Sequence, residues 1–293
     1  MASLRRALAS SRRVQKSRPE SMSAAPQPIF TAPFDAVAER YDETFTSSII
    51  GRAQRAVVWK ELEKTFRAGD RVLEIGCGTG ADACFLADRG VYVTATDASA
   101  QMIEVTSRRI RTNGLDNFAH PHVLPAENIS LLGTTEPFEG ALSNFGALNC
   151  VNDLQQLAAD LAGFLRPGAK VFLCWMGPYC VWEMLSYALK GNWTKAFRRL
   201  RRKGVTAKLT DGALIHVQYP SADSLVRCFA PWFRLRSLQG VGIAVPPSYI
   251  EPWAQRHPRS LQFFERIDSR INRWPGVRLL GDHILVCLER RVD

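Results

Sequence analysis

Long apolar runs are missing from this sequence. No uninterrupted stretch approaches the ~20 residues that a bilayer-spanning helix needs, so no transmembrane segment is expected. Paired cysteines are missing too: Cys77, Cys84, Cys150, Cys174, Cys180, Cys228 and Cys287 are odd in number and contain no C-x-x-C. That excludes a zinc ribbon and a disulfide framework and leaves reduced, mostly buried thiols, as in a cytoplasmic protein. The five histidines are scattered at no metal-ligand spacing, so no metal is expected. His122, His216 and His283 each stay open as a general base or as a satisfied structural residue. Apolar content is not lacking: 46% of 293 residues is enough for a globular core of one large domain or two small ones, which excludes disorder of the whole.

Base outweighs acid most in two places. Residues 1–21 carry Arg5, Arg6, Arg12, Arg13, Lys16 and Arg18 against Glu20, and the run Lys195 to Lys203 holds six more bases and no acid. The remainder of the +10 chain is close to neutral, which argues against a broad nucleic-acid-binding face and for two local basic features. Residues 1–30 lack a sustained apolar period and are expected to be a disordered basic tail. Their Arg- and Ser-rich composition suits an organelle transit peptide or a dispensable tail ahead of an internal start at Met22, with the dispensable tail favoured; no apolar segment supports secretion.

What is present is one organising stretch, Val72-Leu73-Glu74-Ile75-Gly76-Cys77-Gly78-Thr79-Gly80. A short β-branched run stops at three glycines spaced two apart, which reads as a strand, a tight turn and the start of a helix. Glycine suits such a turn because the backbone enters conformations closed to other residues and a ligand can lie on the main chain. A second strand over 91–96 ends in Asp97, 23 positions beyond Glu74, where a doubly wound unit places the acid that holds a ribose diol. Glu74 itself would repel a pyrophosphate and tolerate a cationic amine or sulfonium, which disfavours a dinucleotide and a nicotinamide-dependent oxidoreductase.

The pattern E-x-G-x-G-x-G with Asp97 closing the next strand resembles the class I S-adenosylmethionine-dependent methyltransferases. The resemblance implies a Rossmann-like, seven-stranded, mostly parallel α/β sheet with helices on both faces, and S-adenosyl-L-methionine as cofactor. It assigns the loop contacts to Glu74, Gly76, Cys77, Gly78 and Gly80, the ribose to Asp97 with Ala98 beside it, an adenine-packing side chain to Met102, and a further cofactor contact to Asn144. Relatives usually have Asp-Ala at the adenine edge; here the residues are Pro125-Ala126-Glu127, so only the Ala126 backbone contact carries over. The stretch Phe34-Asp35-Ala36-Val37-Ala38-Glu39-Arg40-Tyr41-Asp42 resembles the opening of the ubiquinone/menaquinone-biosynthesis type, in which this segment folds over the cofactor. Tyr41 is thereby a wall of the site or a packing residue of the N-terminal helix. On a helix over 48–66, Arg52 or Arg55 could meet the methionine carboxylate, or both could lie on a solvated face.

Strands are expected near 120–124, over 140–145 and over 170–175, with a helix over 153–165 stopped by Pro167-Gly168. Beyond Trp175 the resemblance fades. A strand is expected over 213–219, a helix over 221–229, strand six over 233–238 and the last strand over 282–288. The methyltransferase domain is expected over 31–293, with lid insertions at 178–212 and 242–279. By the family's topology both leave the carboxyl edge of the sheet and roof the acceptor pocket. They hold Trp182, Trp193, Trp253, Trp274, Tyr179, Tyr249, Phe263 and Phe264, which either line a pocket for a flat or lipid-like acceptor or form the lid's own core. The run 195–203 either touches an anionic membrane, an acyl carrier or an acidic substrate, or is solvated charge.

The activity expected is methyl transfer to a small-molecule oxygen, carbon or nitrogen, with no catalytic residue assigned and no DNA or RNA partner. Val245-Pro246-Pro247-Ser248-Tyr249 resembles an N-P-P-Y loop of nucleic-acid enzymes but stands at the wrong strand, where this chain has Ser143-Asn144-Phe145-Gly146. The alternatives are a non-catalytic binding protein of the same fold and a nucleic-acid methyltransferase; oligomeric state stays open. Deleting residues 1–21 is expected to leave folding and cofactor affinity intact, since that segment has too little apolar surface to join a core. A large fall in melting temperature would contradict this.

Overall fold

Val72, Leu73 and Ile75 are buried, as a central strand covered on both faces requires. They belong to β1 (Arg71–Ile75) in the computed structural model, which describes residues 32–201, 203–208 and 212–292; the tail expected over 1–30 lies outside the described residues. The other strands are β2 (Tyr92–Asp97), β3 (Ala119–Val123), β4 (Phe138–Ser143), β5 (Leu165–Trp175), β6 (Val205–Lys208), β7 (Leu214–Val217), β8 (Phe233–Val241) and β9 (His283–Arg290). Seven of them form one sheet in the order β3-β2-β1-β4-β5-β9-β8. The pairs from β3 to β5 are parallel, and β9 runs antiparallel to both β5 and β8.

The helices are α1 (Ala38–Tyr41), α2 (Ile49–Thr65), α3 (Ala81–Ala87), α4 (Ala100–Thr112), α5 (Leu154–Phe164), α6 (Val181–Leu189), α7 (Trp193–Ala196), α8 (Ala222–Phe229), α9 (Glu251–Arg256) and α10 (Pro258–Ile271). Ser48, Ser99, Asp153 and Ser221 cap α2, α4, α5 and α8 by accepting free first-turn N–H groups. Strand alternation divides the core in two. Leu73, Ile75, Val171, Leu173 and Trp175 pack against α5 and α8, whereas Val72, Leu142, Phe172 and Cys174 pack against α2, α3 and α4. Glu74 shares the parity of Val72 and is therefore carried to the α2/α3 side.

Two expectations are corrected. Pro167-Gly168 does not stop a helix: α5 ends at Phe164, and the pair lies inside β5, where pairing with β4 jumps from Phe138↔Leu165 to Gly140↔Lys170. The bulge takes up a proline without an N–H and Gly168 at a φ of 81°. β4 ends at Ser143 because Phe145 has a φ of 46° and cannot continue a strand. The short strand expected over 213–219 is β7, which pairs with β6 in a separate hairpin.

The segments after β5 and β8 have a small core of their own. Trp253 and Trp182 both meet Phe264, at ring-centroid distances of 6.0 and 6.1 Å, around buried Ile50, Val245, Ala254 and Leu261. Trp193, Trp274, Phe263 and Tyr179 are exposed, so most of these aromatics are lid core or surface. The basic run is also corrected. Buried Glu183 of α6 accepts from Arg198 Nε at 2.5 Å and Arg199 Nε at 3.0 Å, while Arg199 donates onward to the Asp282 carbonyl at 2.9 Å and to its Oδ1 at 2.8 Å. Two of the run's arginines therefore fasten α6 to the start of β9 and are not available as a surface for an anionic membrane or an acyl carrier.

Two predictions concern these charges. Arg199→Met would leave buried Glu183 with Arg198 alone and buried Asp282 with no arginine, and should cost about 3–5 kcal/mol in chemical denaturation, the range for removing one partner of a buried pair. On β9, buried Glu289 is pulled down to about 2, first by the hydrogen bond from Lys170 and then by Arg234. A carboxyl depressed in the folded state stabilises above its unfolded pKa and loses that contribution as pH falls through the folded one. Glu289→Gln should thus lower stability at pH 7 by about 1–2 kcal/mol, discounted for half-exposed partners. In urea titrations the gap to the native chain should close between the ordinary carboxylate range and about pH 2.

Candidate functional site

After Ile75 the main chain takes left-handed conformations at Gly76 (φ 71°), Gly78 (φ 54°) and Gly80 (φ 75°). Gly76 N and Cys77 N both donate to the Thr96 carbonyl, at 2.8 and 2.9 Å, which pins the turn to the end of β2. Each glycine meets something different. A Cβ at Gly76 would lie 2.2 Å from Ala147 Cβ, and one at Gly80 would lie 2.6 Å from Thr106 Cγ2 on α4, whereas one at Gly78 would meet no atom within 4 Å. Gly76 and Gly80 are thus demanded by packing, and Gly78 faces open space.

That space is a cavity of about 510 Å³. Of the residues the resemblance assigns to the cofactor, Gly76, Cys77, Gly78, Asp97, Ala98, Met102, Ala126, Asn144 and Tyr41 line it. Three expected residues do not. Gly80 is turned to α4, and Glu74 lies beneath the turn, buried, with Oε2 lacking a hydrogen-bond partner. Burial raises the Glu74 carboxyl well above its ordinary range; Asp82 and Asp97 add to this, and Arg55 opposes it. Arg52 donates from Nη1 to the Ser47 carbonyl at 2.5 Å and lies along a separate groove of about 730 Å³ between α2 and α10.

Arg55, one turn on, is the arginine that reaches the cavity. It shares a face of α2 with buried Val58 and Leu62, a spacing visible in the sequence. Its guanidinium contacts Asp82 Oδ2 at 2.5 Å and lies 4.7 Å from the Phe145 ring centroid, while its Nε has no partner. Asp82 also accepts from Trp59 Nε1 at 2.5 Å and from Asn144 Nδ2 at 2.9 Å, so one carboxylate joins α2, α3 and the turn after β4.

Asp97 Oδ2 accepts from Gly78 N and its Oδ1 from Ser99 N, both at 2.9 Å. Burial raises this carboxyl, and the two N–H groups pull against it. A carboxylate has about four acceptor positions, so two remain for a diol. The segment before α2 closes over the turn: Asp35 Oδ1 accepts from Ser99 Oγ at 2.5 Å, Asp42 Oδ1 from Thr79 Oγ1 at 2.6 Å, and Phe34, Tyr41 and Phe45 face the cavity. Burial raises the Tyr41 hydroxyl, and it likewise holds the Cys77 thiol well above its ordinary value, which makes that cysteine packing and not a nucleophile.

The residues present fit S-adenosylmethionine. Open backbone at Gly78, free acceptor capacity on Asp97 and an unspent Arg55 Nε suit a zwitterionic nucleoside. At the far end the lining continues into Phe145, Tyr249, Glu183, Arg199, Asp282 and His283, from β4, both inserted segments and β9. Tyr249 is the one aromatic of the eight singled out in the insertions that lines this cavity. Glu183 and Asp282 were missed because nothing local marks them; they meet only through the lid, 99 positions apart in the chain.

Residues 72–168 match a family model described as a methyltransferase domain. The chain is 31% identical over 144 residues to the demethylmenaquinone methyltransferase of Clavibacter sepedonicus, which covers 49% of this chain and 56% of that protein. It is 30% identical over 145 residues to the tRNA 5-carboxymethoxyuridine methyltransferase of Escherichia coli K12, covering 48% and 54%. It thus spans little more than half the length of either relative. Among solved structures, the DhpI–SAH complex superposes with a TM-score of 0.55 at 17% identity, over 89% of this chain and 94% of that one, a likeness of fold. The matched segment, about a third of the chain, is similar to a methyltransferase domain, and the sheet that carries it shares the fold of that solved structure.

Proposed function

We propose that this chain transfers the methyl group of S-adenosylmethionine to a small-molecule acceptor held between the glycine turn and the two inserted segments. The observation that carries this is the single cavity whose lining runs from Gly78 and Asp97 at one end to Glu183, Tyr249 and His283 at the other. Its volume of about 510 Å³ falls in the small-molecule range of roughly 300–1,000 Å³. When bound, the cofactor supplies a sulfonium methyl that is already an activated electrophile.

The chain's own residues then bind, orient and exclude water. Asp97 would hold the ribose hydroxyls, Met102 and Ala126 would lie on the adenine side, and Arg55 would meet the carboxylate. Tyr41 and Phe45 cover the site from the segment before α2. Holding nucleophile and methyl in line can lower a barrier by about 7–11 kcal/mol, which suits a site built mainly of walls. Of the two relatives, one is named for a quinone and one for a tRNA. The small-molecule reading is favoured because Arg198 and Arg199, at the centre of the basic run, are bound to Glu183 and Asp282 and offer no track for a phosphate backbone.

Calorimetry with S-adenosylmethionine and its demethylated product tests this. Both should bind, NADH should not, and Asp97→Ala should lose about 1.5–3 kcal/mol for each hydroxyl bond to the charged acceptor. Unchanged affinity would remove Asp97 from the site, and saturable NADH binding in place of the methyl donor would overturn the reading.

A further inference from the structure

His283 is the first residue of β9, paired with Val241 at the end of β8 and beside the Trp175↔Ile284 pair at the end of β5. Because β9 runs against its neighbours, its beginning lies at the carboxyl edge where the glycine turn opens. The imidazole lines the cavity and stands edge-on to Phe145, with centroids 5.2 Å apart and planes at 88°. Its Nδ1 is buried, has no hydrogen-bond partner and lies 3.6 Å from Asp282 Oδ2. The other Asp282 oxygen is taken by Arg199. A buried imidazole with one edge against a carboxylate and no structural hydrogen bond is not accounted for by packing.

Resting on the methyl-transfer reading above, we propose that His283 is the general base for this reaction and that the acceptor is a neutral phenol. Nδ1–H is held toward Asp282, and Nε2 takes the proton. The acceptor O–H bond breaks and its proton passes to Nε2 as the new O–CH3 bond forms. The S–CH3 bond breaks with its electron pair left on sulfur, and the imidazolium later gives the proton to solvent. Asp282 is a positioning residue in this scheme, since it fixes the tautomer and steadies the cation.

The acceptor class follows from the base and its surroundings. A carboxylate needs no base and would face buried Glu183 and Asp282. Burial holds the His283 pKa below its ordinary value, with Arg199 and Arg55 pushing the same way and Asp282 opposing, so the ring is neutral near pH 7. So weak a base matches a phenol, which ionises near pH ~10, far better than an aliphatic alcohol. Phe145 and Tyr249 give a flat ring two aromatic walls.

The test uses 4-methylphenol, which stays neutral near pH 7, as probe and protein saturated with S-adenosylhomocysteine. In ¹⁵N-histidine-labelled protein, 4-methylphenol should shift one Nε2 resonance, the one absent from His283→Gln. With S-adenosylmethionine, methylation of 4-methylphenol should fall by roughly 10²–10⁴-fold in His283→Gln, the usual contribution of a positioned base. S-adenosylhomocysteine affinity should not change. In the native chain the rate should drop on the acid side, as pH falls through the lowered His283 pKa, and that limb should vanish in the variant. If S-adenosylhomocysteine binds but no Nε2 resonance moves, or if His283→Gln methylates at the native rate, the proposal is overturned while the cofactor reading stands. Failure to bind S-adenosylhomocysteine would overturn both.

Discussion

The cavity depends on one carboxylate. Asp82, in the first turn of α3, is buried and accepts from Arg55, Trp59 and Asn144. Removing it would strand a guanidinium, an indole N–H and an amide away from water, each an uncompensated cost. Its position follows from the glycine turn: Gly80, left-handed and pressed against Thr106, sets where α3 begins and so which residue of its first turn faces α2. The turn thus shapes two things together, the open main chain at Gly78 and the anchor that holds α2 and the β4 loop around it.

A second charged knot, Glu183 with Arg198, Arg199 and Asp282, does at the far end of the cavity what Asp82 does beside the glycine turn. Each places a buried carboxylate against an arginine from a different segment, and each faces the same cavity. The two knots differ in what is left over. Around Asp82 the spare capacity is cationic, the Arg55 Nε; around Asp282 it is the imidazole of His283. The cavity is therefore graded, with an unpartnered guanidinium nitrogen at one end and an unpartnered imidazole nitrogen at the other.

The sequence made the sheet legible as far as Trp175, because β-branched runs, serine caps and glycine turns are local signals that long-range packing did not override. The floor of the site was legible for the same reason: Gly78, Asp97 and Met102 sit within one βαβ unit. Glu74 and Gly80 carry the pattern but meet protein rather than cavity, since a spacing cannot say which side of the backbone a ligand takes. The acceptor end was hidden by a physical ambiguity. Six bases between 195 and 203 read as a surface, and only the buried acid of α6, together with Asp282 just ahead of the last strand, converts two of them into internal ties. Arg55 was separable from Arg52 by its spacing to Val58 and Leu62, a three-and-seven period that places it on the buried face.

Phe145 joins the two ends. A bulky residue at a φ of 46° is strained by about 1–3 kcal/mol, and such strain persists only where the surroundings over-determine it. Here its N–H is held by the Asn144 side-chain oxygen at 3.1 Å, and Asn144 is itself tied to Asp82. The ring is wedged between Phe45 at 5.0 Å, the Arg55 guanidinium at 4.7 Å and His283 at 5.2 Å. An unstrained residue would let β4 run on and turn the ring out of the cavity. In the strained form the ring meets the closing segment, Arg55 and His283 at once. Any displacement of one is therefore felt by the other two, because they are joined by a rigid aromatic plate rather than by the mobile ends of side chains.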